Sequence, residues 1–553
     1  MGQQVSTDGA TEYSVETPFG VFKGLTIRDK VTKEPMCYRF TNIRYANQVE
    51  RWKMPEMVSD NYDYSKEQYK DFGKVCPQPL ITEPKISFLN NVAEMSEDCT
   101  YLNIWAPFSN DLQKLDISEV SKLPVLFYIH GGWLQYGNAN HSLVMDPRSL
   151  LASDKFEKFV IVAPAYRLNS LGFMSCSDLL SEDPLNCNFG FWDQRTALLW
   201  TAKYIKYFGG DSSRITVGGL SAGSYSTFFQ LAYELYHPEE DQLIKQVIFF
   251  SNCLSVQPKS LSEADSQFKE YCEKLGIEKK LSGPEKLKKL RSLDVNTLIE
   301  TIPKMRLHTF RAVSDDDFVS SSLLHDLYNG TYARMLSKRA VRVMIGEVDN
   351  EPILYSYLNS PCTRADLSIQ LENYYPKNTI ATLISLYYPK GIDENSPSFK
   401  TDLRELFGQI IADTQVYASS RGFLNNITKH NHYSKDNIFR YKVSYAPQFV
   451  REMYDKEGID GVIHGGDQIL WFYAIHNGVR GEEETIISEF IKPFVQFIYL
   501  KDIGAEWGTS DIELFRYISA NGEIYTEKDT YWNEGIKNAS RIYNAQLVKS
   551  KSS

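Results

Sequence analysis

Residues 219–223 read Gly-Leu-Ser-Ala-Gly, after the β-branched run Ile215-Thr216-Val217 and before Ser224-Tyr225-Ser226-Thr227-Phe228-Phe229. This pattern predicts a strand that turns sharply into a helix with a serine at the apex. A side chain at either flanking glycine would collide with the neighbouring strand and helix, so the turn needs its small residues. The hydroxyl then sits at a helix N-terminus, beside free N–H groups able to hold developing negative charge. The chain has 32 glycines, so the pentapeptide alone is weak. The rest of the sequence has to supply a base, an acid and an anion hole.

Upstream, Val125-Leu126-Phe127-Tyr128-Ile129 runs into His130-Gly131-Gly132-Trp133. Alone this is a glycine turn after a buried strand; paired with Gly219–Gly223 it has the form of a loop that lends backbone N–H groups to an oxyanion. Downstream, Val341-Arg342-Val343-Met344-Ile345 leads into Gly346-Glu347-Val348-Asp349-Asn350-Glu351, and later comes Gly461-Val462-Ile463-His464-Gly465-Gly466-Asp467. Serine, acid, histidine is the chain order of hydrolases built on a nucleophile elbow. Three carboxylates share the acid loop, and the pattern alone does not choose between them.

With these stretches the chain resembles the type-B carboxylesterase and cholinesterase family. Ser96-Glu97-Asp98-Cys99-Thr100-Tyr101-Leu102-Asn103-Ile104-Trp105 is close to that family's second signature. Asn188-Phe189-Gly190-Phe191-Trp192-Asp193-Gln194-Arg195, Phe208-Gly209-Gly210-Asp211, Tyr166-Arg167-Leu168 and Phe40-Thr41-Asn42-Ile43-Arg44-Tyr45-Ala46 match other family segments. The similarity runs from about Tyr13 to the C-terminal helices. It implies an α/β-hydrolase fold, a large doubly wound, mostly parallel sheet flanked by helices with loop and helix insertions. Residues 1–12 then form a tail and 13–553 one domain.

Carried over by position, the resemblance makes Ser221 the nucleophile, His464 the general base and then acid, and Glu351 the carboxylate that orients the imidazole. Glu351 stands at the family's acid position, while Glu347 and Asp349 should tolerate amide replacement with little loss of rate. The glycine that usually follows the acid is Pro352 here. His130 precedes the anion-holding glycines and reads as structural. The oxyanion donors would be the N–H groups of Gly132, Trp133 and Ala222. Trp133 replaces the family's third glycine, so its indole either walls the acyl pocket or packs beneath the loop; the wall is the favoured reading. Leu220 stands where the family often has Glu.

Composition fits a large enzyme. At 553 residues and 42% hydrophobic content the chain can bury a substantial core. Short apolar strands alternate with long mixed helices throughout, which argues for one doubly wound domain rather than a string of small ones. A net charge of −10 without a strong basic cluster speaks against nucleic acid or an anionic membrane as partner. The densest lysines, Lys279 to Lys289, are interleaved with Leu281, Glu285 and Leu287 and read as a solvated helix face. No cofactor or metal is called for, and no cysteine pair has zinc spacing. The partners expected are a small ester and water.

Among eight cysteines, Cys76 and Cys99 hold the positions of the family's first disulfide. Cys253 and Cys272 form a second candidate pair, and Cys37, Cys176, Cys187 and Cys362 read as buried thiols. The first residues carry no basic region and no apolar core, so the expectation is a cytoplasmic protein, or a secreted or luminal one if the family disulfide forms and a leader has been removed. Met1-Gly2-Gln3-Gln4-Val5-Ser6 also fits an N-myristoylation signal, the one route to a membrane.

The function implied is a serine carboxylic-ester hydrolase working through an acyl-enzyme on small to medium, largely uncharged esters. A lipase for longer acyl chains is the near alternative; the short, mixed segment from Pro77 to Asp98 favours soluble esters. A catalytically dead adhesion member would lack the serine or the histidine, and both are present. The loop from Cys76 to Cys99 has no tryptophan, so the usual aromatic platform for a quaternary ammonium is absent.

Overall fold

Five strands contribute apolar runs to the centre of the sheet because both of its faces are covered. In β5 (Leu123–Ile129), Val125, Phe127 and Ile129 join the hydrophobic core on one face, while Leu126 and Tyr128 join the core on the other. The same alternation holds in β6 (Val160–Pro164), β7 (Gly210–Leu220), β8 (Ile244–Phe250) and β9 (Arg342–Val348).

These strands belong to a 12-stranded sheet in a computed structural model that describes residues 9–47, 50–83, 86, 93–108, 122–140, 145–254, 258–388, 393–479 and 481–547. Gly2 lies outside the described residues. The remaining strands are β1 (Thr11–Thr17), β2 (Gly20–Arg28), β3 (Pro35–Arg44), β4 (Tyr101–Pro107), β10 (Ile438–Val443), β11 (Leu514–Ile518) and β12 (Ile524–Lys528). Their order is β1-β2-β3-β4-β6-β5-β7-β8-β9-β10-β11-β12. Pairing is parallel from β6 to β11 and antiparallel at both flanks. The first strand takes in Thr11 and Glu12, two residues ahead of the boundary read from the sequence.

The order reverses around β5, which has β6 on one side and β7 on the other. Doubly wound sheets bind ligands in the crevice that such a reversal opens at the carboxyl ends of the strands. Ile129 pairs with Gly219 there, so the His130 loop and Ser221 leave the sheet side by side.

Buried ion pairs hold the helices on the sheet. Arg167 grips Asp193 through two side-chain bonds of 2.8 and 2.7 Å. Arg195 on the helix Phe189–Tyr204 meets Glu234 on the helix Ala222–Tyr236 at 2.8 Å. No helix among the described residues is long and apolar enough to cross a membrane.

Cys76 and Cys99 are disulfide-bonded. The second candidate pair is not: Cys253 and Cys272 are both free and buried. The Cys253 sulfur instead faces the Ser419 hydroxyl at 3.8 Å. Cys362, expected to be buried, is exposed, in the turn before the helix Arg364–Tyr374.

Candidate active site

Ser221 sits between the last residue of β7 and the first of the helix Ala222–Tyr236, with φ 58° and ψ −119°. A non-glycine residue pays steric energy there and persists only where its surroundings fix it. Its N–H donates to the Phe250 carbonyl at 2.9 Å, and its own carbonyl accepts from Tyr225 N at 2.9 Å. The glycines are obligatory for the reason the sequence suggested. A Cβ on Gly219 would come within 2.5 Å of the Gly223 and Ile129 carbonyl oxygens, and one on Gly223 would overlap the Ile129 carbonyl.

The His130-Gly131-Gly132-Trp133 loop lies directly on this turn, since a Cβ on Gly131 would stand 2.7 Å from the Leu220 oxygen. Gly132 has φ 112°, Trp133 φ 56° and Leu134 φ 64°. The Gly132 carbonyl is tied back by Gln135 N and Tyr136 N, both at 2.8 Å. Gln78, in the loop closed by the disulfide, accepts from Gly137 N at 2.9 Å and donates to its carbonyl at 3.0 Å. Among the described residues, the N–H groups of Gly132, Trp133 and Ala222 donate to no backbone carbonyl.

His130 is structural in its contacts. Its Nδ1 donates to the Gly131 carbonyl at 2.8 Å, and its ring stacks on Tyr166 at 4.4 Å. Burial holds its pKa down to about 4, so the ring is neutral in the folded protein. The unfolded chain takes up this proton near the ordinary value of 6.5. The stability from keeping the ring neutral is therefore present above about 6.5 and lost as pH falls toward about 4, at most about 3 kcal/mol. Urea unfolding at about pH 7 and about pH 4.5 should show a steeper loss for the wild type than for His130→Gln. Equal losses would refute the assignment.

Glu351 and His464 are brought together by a short ladder between their loops. Asn350 pairs with Ile463 as an isolated parallel bridge. Asn350 N donates to the Val462 carbonyl at 3.0 Å, and Asp349 Oδ1 accepts from Val462 N at 2.9 Å. One residue beyond each strand of this ladder, Glu351 Oε2 meets His464 Nδ1 at 2.5 Å. Glu351 Oε1 accepts from Val348 N at 3.0 Å, and the residue is fully buried. Pro352 does not disturb the loop: it opens the helix Pro352–Tyr357, the position at which a missing N–H removes no hydrogen bond. Of the other two carboxylates, Glu347 is spent on Arg421, at 2.6 and 3.0 Å, and Asp349 on the ladder.

The histidine loop touches the Ser221 turn through Leu220, whose Cδ2 would stand 2.9 Å from a Cβ on Gly465. The contact made by Leu220, the position at which the resemblance led to an expectation of Glu, is thus apolar. Among the described residues no hydrogen bond joins Ser221 Oγ to His464; such bonds often tighten only when substrate is bound. The Tyr355 hydroxyl lies against both, 3.4 Å from each His464 ring nitrogen and in interaction with the Ser221 hydroxyl. Burial, and then the charge of Glu351, push its pKa well above the ordinary phenol value, so it remains a donor. Tyr355 follows Glu351 by one helical turn, which places both on one face of the short helix. That spacing was the signal in the sequence, and the reading missed it.

A cavity of about 50 Å³ opens at Ser221, lined among others by Trp133, Ala222, Tyr225 and Arg311. The Trp133 ring meets Tyr355 edge to face at 5.6 Å. Arg311 is the second residue that sequence reading passed over, since nothing in Phe310-Arg311-Ala312 points to a pocket.

Comparison with known proteins gives the chain its family. The chain is 42% identical over 522 residues, 94% of both chains, to an uncharacterized esterase/lipase of Schizosaccharomyces pombe. It is 34% identical over 534 residues, again 94% of both, to a carboxylic ester hydrolase of Gibberella moniliformis. Over 156 residues, 28% of this chain and 25% of the other, it is 45% identical to a pyrethroid hydrolase of Mus musculus. The model of the carboxylesterase family matches residues 11–550, and the chain belongs to that family.

Proposed function

We propose that this carboxylesterase-family enzyme hydrolyses small to medium, largely uncharged carboxylic esters, with Ser221 as nucleophile, His464 as base and acid, and Glu351 as the group that orients the imidazole. The observation that carries the reading is the 2.5 Å contact between Glu351 and His464 Nδ1 in a loop packed against the strained Ser221 turn. With Nδ1–H held by the carboxylate, Nε2 is left as the basic nitrogen.

In this mechanism Ser221 Oγ adds to the ester carbonyl as His464 Nε2 takes its proton. The carbonyl oxygen becomes an anion between the N–H groups of Gly132, Trp133 and Ala222, and the imidazolium formed is stabilised by Glu351. Collapse expels the alkoxide, which leaves as an alcohol with the proton from His464. Water, deprotonated by the same nitrogen, then releases the acid and restores Ser221.

Trp133 lines the cavity at Ser221, which supports the wall reading of its indole. On that reading acetyl to about hexanoyl esters are cleaved faster than dodecanoyl ones, with no activation at an oil–water interface. Trp133→Gly should keep the backbone donor and shift kcat/KM toward longer acyl groups, up to a few-fold per carbon, since a methylene is worth roughly 0.8 kcal/mol. An unchanged chain-length preference in an active variant would place the indole beneath the loop. Faster turnover of dodecanoyl esters at an interface would favour the lipase reading. The Cys76–Cys99 bridge supports work in an oxidising compartment over the cytoplasm.

A further inference from the structure

Resting on the ester-hydrolase reading above, we propose that Tyr355 is a further catalytic residue, whose hydroxyl donates a hydrogen bond to the alcohol oxygen as it leaves. The chemistry fixes where that oxygen must be. To take a proton from His464 it has to come within hydrogen-bond reach of Nε2. It also hangs on the carbon that Ser221 Oγ has just attacked, so it lies beside Ser221 as well. The Tyr355 hydroxyl is already at this place, 3.4 Å from Nε2 and in interaction with the Ser221 hydroxyl. The phenol is also firmly mounted. Its ring is buried, meets Trp133 edge to face at 5.6 Å and lies 4.9 Å from the imidazole. The helix Pro352–Tyr357 packs tightly on the helix Phe399–Ala412, where a Cβ on Gly408 would stand 2.6 Å from the Pro352 carbonyl oxygen. A donor fixed in advance needs no reorganisation at the moment of reaction.

What this hydroxyl can bond to changes as the reaction proceeds. Nδ1 carries the proton held by Glu351, so it offers the phenol no lone pair. In the free enzyme the acceptors beside it are Nε2 and Ser221 Oγ. Acylation removes both, because Nε2 takes up a proton and Oγ becomes bonded to the acyl carbon. A buried donor without an acceptor costs free energy, so the phenol turns to the neighbouring oxygen that is gaining charge. As the tetrahedral intermediate collapses, the bond from carbon to the alcohol oxygen breaks and its electron pair passes to that oxygen. His464 Nε2 transfers its proton there, while Tyr355 keeps its own and stabilises the charge until the transfer is complete. Burial, and then Glu351, hold the phenol pKa well above its ordinary value, which keeps that proton in place.

The test measures kcat/KM on the full chain for nitrophenyl butanoate and ethyl butanoate, which share an acyl group and differ in the leaving oxygen. Nitrophenolate is a stable anion that departs with little help; ethoxide is not. In Tyr355→Phe, which removes one oxygen and keeps the ring contacts, the ethyl-to-nitrophenyl ratio should fall by about tenfold or more, the scale of one hydrogen bond to a charged group. A monofluorotyrosine at position 355 keeps the hydroxyl as a stronger donor and should raise the ratio; it decides where the phenylalanine variant does not fold. Equal loss on both esters would make Tyr355 a packing residue, and equal gain would make it a block between Ser221 and His464. Either result overturns the proposal, as does an unchanged ratio or a lower one in the fluorotyrosine enzyme. A wild type that cleaves only the nitrophenyl ester sinks this proposal alone. No cleavage of either ester, with Ser221 inert to an organophosphonate, sinks the hydrolase reading and this proposal together.

Discussion

Ser221→Ala should fold normally and lose ester turnover by a factor on the order of 10³ or more. The change removes one oxygen, while the backbone bonds that hold the turn, from Ser221 N to Phe250 and from Tyr225 N to Ser221, do not involve the side chain. Alanine meets the same steric demand at φ 58° as serine does, so stability should barely change. An organophosphonate should label Ser221 in the wild type and leave the variant unlabelled. Peptide mapping that found the label on another residue, or a variant with near-normal turnover, would end the assignment.

His464→Ala should be nearly as damaging, because nucleophile and base act as one unit. Glu351→Gln should cost on the order of 10³ to 10⁴ in kcat, since an amide in its place no longer fixes the imidazole tautomer or balances its charge. The other carboxylates of the loop separate catalysis from stability. Asp349→Asn keeps an oxygen for Val462 N and should be mild. Glu347→Gln, expected from the sequence to cost little rate, also breaks a buried pair with Arg421. Losing one member of such a pair costs about 3–5 kcal/mol, so this variant should unfold earlier in urea while its folded fraction keeps near-normal kcat. If Asp349→Asn were the crippling change, the acid would have been misassigned by two residues.

What the sequence disclosed and what it withheld follow from how far each signal reaches along the chain. The turn around Ser221 is local: a β-branched strand, small residues and the start of a helix are all written between Ile215 and Phe229. The order of serine, acid and histidine is legible for a different reason: each stands in its own short motif after an apolar run, and their order can be read without knowing how the loops meet. Which carboxylate meets the histidine was harder to read, because Glu347, Asp349 and Glu351 look alike along the chain until Arg421, Val462 and His464 each claim one. Tyr355 shares a helical face with Glu351 and was within reach of a periodicity argument. Arg311 was not, for its neighbours in the cavity come from five separate stretches of chain. Cysteine pairing failed at Cys253 and Cys272 because sequence cannot report which way two buried sulfurs face.

The site is also a statement about synthesis. Its members leave the sheet after β7, after β9 and after β10, and the bond from Glu351 to His464 closes across 113 residues. A chain emerging from the ribosome therefore exposes the apolar central strands long before the histidine exists to complete the site. Contacts so distant in sequence form slowly, and the wait invites aggregation. Early truncations should behave as sticky, inactive species dependent on chaperones. In a cell, the appearance of esterase activity would report the pairing of the sheet as far as β10, and a nick anywhere between the elbow and the histidine loop would threaten both at once.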